Sequence, residues 1–330
     1  MKTLLPNTLL LISAYCILAS GFASAAPPKP VAKSKAGIEL LAGKRVLVLG
    51  DSITEAGSYV SFMDYLLQKG NPEKTFDIVS VGLSAETTSG LKEKGSVRPC
   101  VHDRLESALS AVKPAVVIAC YGMNDGIYQP YDTGRMKAFE TGMTRLVTDC
   151  VNAGAKVALV TPPVYDYANN SGSPNFRPTN DVERAKQTDR VTYDEVLAKF
   201  AEWEVKHPPA GVVAVADLHT PMAAELAKRR EKDSSFKFAN DGIHPQELGH
   251  LFMALEILKG LGVATLEGTP EKILADIKAD PLFPLVNKRR TLRTNAWMGY
   301  INSTRSKTAA EREATALQVK IDALRGKSAN

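Results

Sequence analysis

The sequence predicts an α/β fold in which a central parallel sheet carries helices on both faces. Short runs rich in Val, Ile, Leu and Ala recur without polar alternation, as strands buried on both faces require. Segments with apolar residues at helical spacing separate these runs, the pattern of parallel strands joined by helical crossovers. The polar oddities of the chain sit where these runs stop. In such sheets that edge, outside the carboxyl ends of the strands, is where ligands bind.

The predicted elements follow in order. "KRVLVLG" (44–50) is the first strand and "SYVSFMDYLLQKG" (58–70) the first long helix. "FDIVSVG" (76–82) is a strand, and "RLESALSAV" within 104–112 a helix. "AVVIACYG" (115–122) is a third strand, followed by a helix over 136–152 and a strand over 155–162. A long helix over 181–206 precedes a fifth strand, "GVVAVADL" (211–218), and helices over 220–231 and 246–260 complete the series. Residues 266–330 contain no strand run. Their segments "KRRTLRTNAWMGYINS" and "AAEREATALQVKIDALRG" predict helices, with Trp297 as an anchor and the arginines at the surface or towards the cleft.

Residues 1–25 have a Lys near the start, an apolar stretch and a small-x-small site at Ala23-Ser24-Ala25, the pattern of a secretory signal peptide. Residues 26–39, rich in Pro, Lys and Ala, are expected to be a flexible lead-in. The division expected is therefore 1–25 signal peptide, 26–39 lead-in, 40–265 main domain and 266–330 helical C-terminal extension. An exported, periplasmic or extracellular protein follows, with no integral membrane segment after cleavage. Removing the leader takes Cys16 and leaves Cys100, Cys120 and Cys150, an odd number. Cys100 and Cys150 are a candidate disulfide pair, and no zinc-type spacing is present. The net charge of +5 over 330 residues argues against a dedicated nucleic-acid binder.

Four polar clusters end the predicted strands or precede the last of these helices: Gly50-Asp51-Ser52, Gly82, "GMND" (122–125) and "DGIHP" (241–245). A serine hydroxyl becomes a nucleophile only beside a base, the base needs an orienting carboxylate, and the reaction needs donors for the oxyanion. Ser52 offers the hydroxyl, His244 the imidazole and Asp241 the carboxylate. Asn124 and Gly82 offer N–H donors, and the Ser52 amide a third. Each residue alone also fits a cap or a turn. The α/β-hydrolase elbow needs a glycine where Thr54 stands. "GDSIT" lacks the lysine and spacing of a phosphate loop. A metal site from Asp241, His244 and His250 lacks a compact ligand pair, and His250 reads as a helix-packing histidine.

Taken together, "GDSIT" (50–54), "VGLSAETTSG" (81–90), "GMND" (122–125) and "DGIHP" (241–245) resemble, in order, the four sequence blocks of the SGNH, or GDSL, hydrolase family. The resemblance covers about residues 40–265. Ile53 replaces the leucine common in the first block, and the second block departs most from the family pattern. The resemblance implies a flavodoxin-like three-layer α/β/α sandwich and ester hydrolysis through an acyl-enzyme, with no metal or other cofactor. It implies a triad of Ser52, Asp241 and His244, and an oxyanion hole of Ser52, Gly82 and Asn124. The expected substrate is a short-chain, acetyl ester on a carbohydrate. Tyr121, Tyr128, Tyr131, Tyr165, Tyr167 and Phe176 are candidates for stacking on sugar rings and equally for packing loops. The alternatives are a lipase, lysophospholipase or thioesterase and, from another class, a non-catalytic carbohydrate-binding envelope protein.

Overall fold

The computed structural model describes residues 37–166, 193–303 and 305–328. The expected signal peptide, most of the lead-in, the first part of the predicted 181–206 helix, Tyr167 and Phe176 lie outside the described residues.

Five parallel strands form one sheet: β1 (Arg45–Gly50), β2 (Asp77–Gly82), β3 (Val116–Cys120), β4 (Lys156–Val160) and β5 (Val212–Ala216), in the order β2-β1-β3-β4-β5. Consecutive residues of β1 and β3 are all buried after Arg45, because helices cover both faces. Helices α1 (Ser52–Ala56) and α2 (Ser58–Gly70) follow β1. Helices α3 (Leu105–Val112) and α4 (Thr133–Asn152) flank β3. Helices α5 (Tyr193–Lys206), α6 (His219–Arg230) and α7 (Glu247–Gly260) continue the alternation. The sequence-predicted elements are present, with ends moved by a few residues.

The chain leaves β1 towards β2 and then returns past β1 to β3. This order puts the switch point of the sheet at the carboxyl ends of β1 and β3, where adjacent loops diverge and leave a crevice. Two glycines let the backbones meet there. A Cβ on Gly50 would collide with the Thr54 side chain and the Cys120 carbonyl, and one on Gly82 with the backbone of Thr54 and Glu55. Helix α1 therefore lies directly on the end of β2.

The C-terminal residues form α8 (Pro270–Ala279), α9 (Leu282–Ser303) and α10 (Thr308–Ser328). Helix α9 packs on α2 and along the edge strand β2. Its arginines are neither solvated nor turned to the cleft, contrary to the sequence reading. Arg293 donates from Nη1 to the Ile78 carbonyl at 2.9 Å, and Thr294 and Ser80 pair at 2.7 Å, so α9 satisfies an otherwise open sheet edge. Arg290 donates to Ser61 Oγ, and Arg289 pairs with the buried Asp64 carboxylate at 2.7 Å. Trp297 is buried and donates Nε1–H to Glu311 of α10. From α10, Arg325 reaches the carbonyls of Asn71 and Pro72, just before β2.

Cys100, Cys120 and Cys150 are free thiols, so the candidate pair is not joined. Cys100 faces the Thr88 carbonyl beside the crevice, whereas Cys150 lies on the buried face of α4 among core side chains.

The buried Arg289–Asp64 pair carries a stability prediction. Arg289→Ala strands a buried carboxylate and is expected to cost about 3–5 kcal/mol in urea unfolding. The double variant Arg289→Met, Asp64→Leu is expected to recover most of that loss.

Candidate active site

Asp51 starts α1 by accepting the Ile53 amide on its own Oδ1 at 3.0 Å, an N-cap that fixes the turn out of β1. Ser52 is the next residue, and its N–H, in the first turn, has no acceptor within the helix. Its Oγ lies 2.8 Å from His244 Nε2. His244 Nδ1 lies 2.6 Å from Asp241 Oδ2. With Asp241 accepting the Nδ1 proton, Nε2 is left as the acceptor for the Ser52 hydroxyl. The three side chains thus form one hydrogen-bonded chain across 192 residues of sequence.

The loop carrying Asp241 and His244 is braced on several sides. Asp241 Oδ1 accepts the Ile243 and His244 amides, at 2.9 and 2.8 Å. The Asp166 amide donates to the Gly242 carbonyl at 2.8 Å, and Gln246 N–H donates to the Phe238 carbonyl. Arg230 donates from Nη2 to both carboxylate oxygens of Asp166 and from Nε to the Phe236 carbonyl. The exit of β4 and the end of α6 therefore hold the loop opposite Ser52.

Asn124 sits in the turn after β3. Its Nδ2 donates to Asp51 Oδ2 and to the Glu86 carbonyl, both at 3.3 Å. Asp125 ties this turn to the loop after β2. Its Oδ1 accepts the Thr88 amide, the Thr88 hydroxyl and the Ser89 amide, and its Oδ2 accepts the Gly122 amide. Glu86 anchors the same loop through Arg104 and the Tyr121 hydroxyl.

Gly82 takes a different part from the one expected. It is the last rung opposite Gly50, and the Leu83 amide is the one that donates to the Gly50 carbonyl. Strand amides alternate in direction, so the Gly82 N–H faces the outer edge of the sheet, away from β1 and Ser52. Its lack of a side chain serves the contact with α1 instead. Two residues beyond Leu83, Ala85 is held at φ 61°, an uncommon conformation for alanine, in the turn beside the site.

The candidate sugar-stacking residues are mostly occupied. Tyr121 is fully buried, and Tyr165 is buried against Tyr128 and Tyr193. Tyr128 is half-buried, and Tyr131 is exposed with the Lys199 ammonium 4.9 Å from its ring centre. His250 is buried and stacked on Tyr59, and burial pushes it down to about 4. Among the described residues no group of three or more His, Cys, Asp or Glu side chains is arranged to hold a metal. Sequence reasoning missed the contacts of Arg98 and Tyr128 at Asn124. Tyr128 is four residues on, within reach of a tight turn. Arg98 carries no motif signal at all.

Charge at the site is tuned by these contacts. The hydrogen bond to Asp241 raises His244 above the ordinary imidazole range, against the effect of burial. Asp241 is pulled down to about 2 because hydrogen bonds from His244 and the loop amides outweigh its burial. Asp51 is pushed up to about 7 by burial, with the carboxylates of Asp125 and Glu86 adding to it.

This is the arrangement of a hydrolase on a three-layer α/β/α sandwich, with a Ser-His-Asp chain at the switch point of its sheet. The profile of the GDSL-like lipase/acylhydrolase family matches residues 48–251, more than half of the chain, and the chain belongs to this family. That membership makes it a hydrolase of carboxylic esters. It is similar to an acetylxylan esterase of Geobacillus stearothermophilus, 24% identical over 247 residues that cover 67% of this chain and 94% of that protein. The crystal structure of Axe2, an acetylxylan esterase from Geobacillus stearothermophilus, aligns over 70% of this chain and 99% of its own, with 23% identity and a TM-score of 0.44. BT4096, a gut microbial diltiazem-metabolizing enzyme, aligns over 67% of this chain with 22% identity and a TM-score of 0.48. This chain spans about half the length of that enzyme, 47%.

A pH prediction follows from the raised imidazole. Neutral His244 is the form that accepts the Ser52 proton, so kcat/KM is expected to rise with pH through a midpoint above about 6.5. Asp241→Asn removes the main cause of the upward shift. It is expected to move that limb to lower pH and to cut kcat by about 10²–10⁴. A limb that stays in place in this variant belongs to Asp51 instead.

Proposed function

We propose that this chain is an exported serine esterase that removes short acyl groups, chiefly acetyl, from carbohydrates. The observation that carries the reaction is the unbroken chain from Ser52 Oγ through His244 to Asp241 at the crevice of the sheet. Ser52 Oγ attacks the ester carbonyl carbon as His244 Nε2 takes its proton. The oxyanion forms against the Ser52 N–H and the Asn124 carboxamide. The tetrahedral intermediate collapses, and the C–O bond to the alcohol breaks as His244 protonates the leaving oxygen. Water then attacks the acyl-enzyme with His244 again taking the proton, and the carboxylic acid leaves with Ser52 restored. Asp241 holds the tautomer and stabilises the imidazolium in both halves.

The substrate class is supported by two features. His244 and Asp241 keep 47% and 45% of their side-chain surface exposed, an opening that admits an ester borne on a bulky polymer. The acetylxylan esterase relative acts on such a polymer. Export is supported by the signal-like pattern of residues 1–25. No described helix is long and apolar enough to cross a membrane.

Ser52→Ala is expected to lower kcat on p-nitrophenyl acetate by about 10⁴-fold or more while leaving the thermal midpoint within a few degrees. Asn124→Ala is expected to lower it by about 10²-fold or more. Turnover by the serine variant at the wild-type rate would sink the mechanism. Across p-nitrophenyl esters of increasing chain length, kcat/KM is expected to fall sharply beyond propionate. Acetate release from acetylated polysaccharides, with the Ser52→Ala protein as blank, tests the carbohydrate assignment, and undiminished turnover of long acyl chains refutes it.

A further inference from the structure

The side chain of Asn124 is held from both ends. Its Nδ2 faces the two acceptors described above. Its Oδ1 accepts from Arg98 Nη1 at 3.0 Å and from the Tyr128 hydroxyl at 3.1 Å. Arg98 is aimed by a second contact: its Nε and Nη2 donate to the two carboxylate oxygens of Glu93 at 2.7 and 2.6 Å. A guanidinium is planar, so engaging Glu93 along one edge fixes where Nη1 points. Its plane also sits over Tyr128, 5.5 Å from the ring centre. The Arg98 side chain is 11% exposed, although the neighbouring Val97 stands almost fully in solvent. A loop arginine is thus folded inward onto one amide oxygen.

An asparagine amide has two orientations that differ only in the exchange of O and N. Two donors on one side and two acceptors on the other permit only the orientation that presents the NH₂ group to Asp51 and the Glu86 carbonyl. A cationic donor on the amide oxygen also draws electron density from the nitrogen and makes its N–H a stronger donor, as in any hydrogen-bonded chain of amides. Both effects act on the group assigned to the oxyanion.

We propose that Arg98 and Tyr128 are positioning residues that orient and polarise the Asn124 carboxamide, so that their contribution to catalysis passes through Asn124. The inference rests on the esterase reading, in which Asn124 faces the oxyanion. Their action is then confined to the transition state: it enters kcat, leaves KM nearly unchanged and vanishes when Asn124 is absent.

The test is a double-mutant cycle on p-nitrophenyl acetate, with thermal midpoint and fluorophosphonate labelling of Ser52 followed in each variant. Arg98→Ala is expected to lower kcat about tenfold, and Tyr128→Phe about threefold, with KM changed less than about twofold. In the Asn124→Ala background the same substitutions are expected to cost less than about twofold. Arg98→Lys keeps the charge without the planar fork and is expected to recover only part of the loss. Tyr128→Phe removes one hydroxyl, so it reports on the inference even where Arg98→Ala folds poorly. Full losses that persist in the Asn124→Ala background overturn the inference, as does a rise in KM with kcat intact, which would make Arg98 a substrate-binding group. Ser52 that labels in a cycle with additive losses overturns this inference alone. A wild-type protein whose Ser52 does not label overturns the esterase reading as well.

Discussion

The site depends on one buried carboxylate. Asp125 has no exposed surface and accepts hydrogen bonds from Thr88, Ser89 and Gly122. Those residues belong to the loops that leave β2 and β3, on opposite sides of β1. The parallel topology brings the ends of these strands to one edge but says nothing about how the loops meet. Asp125 closes that gap, and Asn124 is held as the adjacent residue. Burial raises the carboxyl of Asp125, and the donated hydrogen bonds oppose that shift; with both oxygens engaged by loop donors, its role is architectural. The third motif block therefore carries two separate tasks in adjacent residues.

Much of this was legible in the sequence because the underlying signals are local. The apolar runs of β1 and β3 have one physical explanation, burial on both faces, and the helices between them keep their period. Ser52, Asn124, Asp241 and His244 were legible because each lies in a short motif at a strand end or before a helix, and topology alone brings strand ends together. Gly82 shows the limit. A glycine after a strand is visible in sequence, but whether it offers an amide or an absent side chain depends on the ladder phase. The Leu83 amide on Gly50 decides that phase. Arg98 shows a second limit, since its contacts are set by an irregular loop whose path no periodicity encodes.

The tail was legible as helix and misread in its environment. A row of arginines in "KRRTLRTNAW" has the composition of a solvated face. In the fold it meets Asp64, Asp77, Glu311 and the carbonyl of Ile78. Arginine suits this place because its long apolar stem packs while its planar head satisfies several acceptors. The deciding information lies in a strand 215 residues upstream, and no window of sequence contains both.

That separation gives the β2 edge a temporal character. β2 is made long before α9, yet the groups that cover its outer edge, Arg293 on the Ile78 carbonyl and Thr294 on the Ser80 hydroxyl, arrive only with that helix. Until then the nascent sheet has an open flank that any extended peptide can join. Closure of the flank is also entropically slow, because the loop it completes encloses most of the domain. Helix α9 thus acts as a latch on the order of assembly: the sheet is guarded against edge-to-edge association only once the chain has been made some 215 residues beyond this strand.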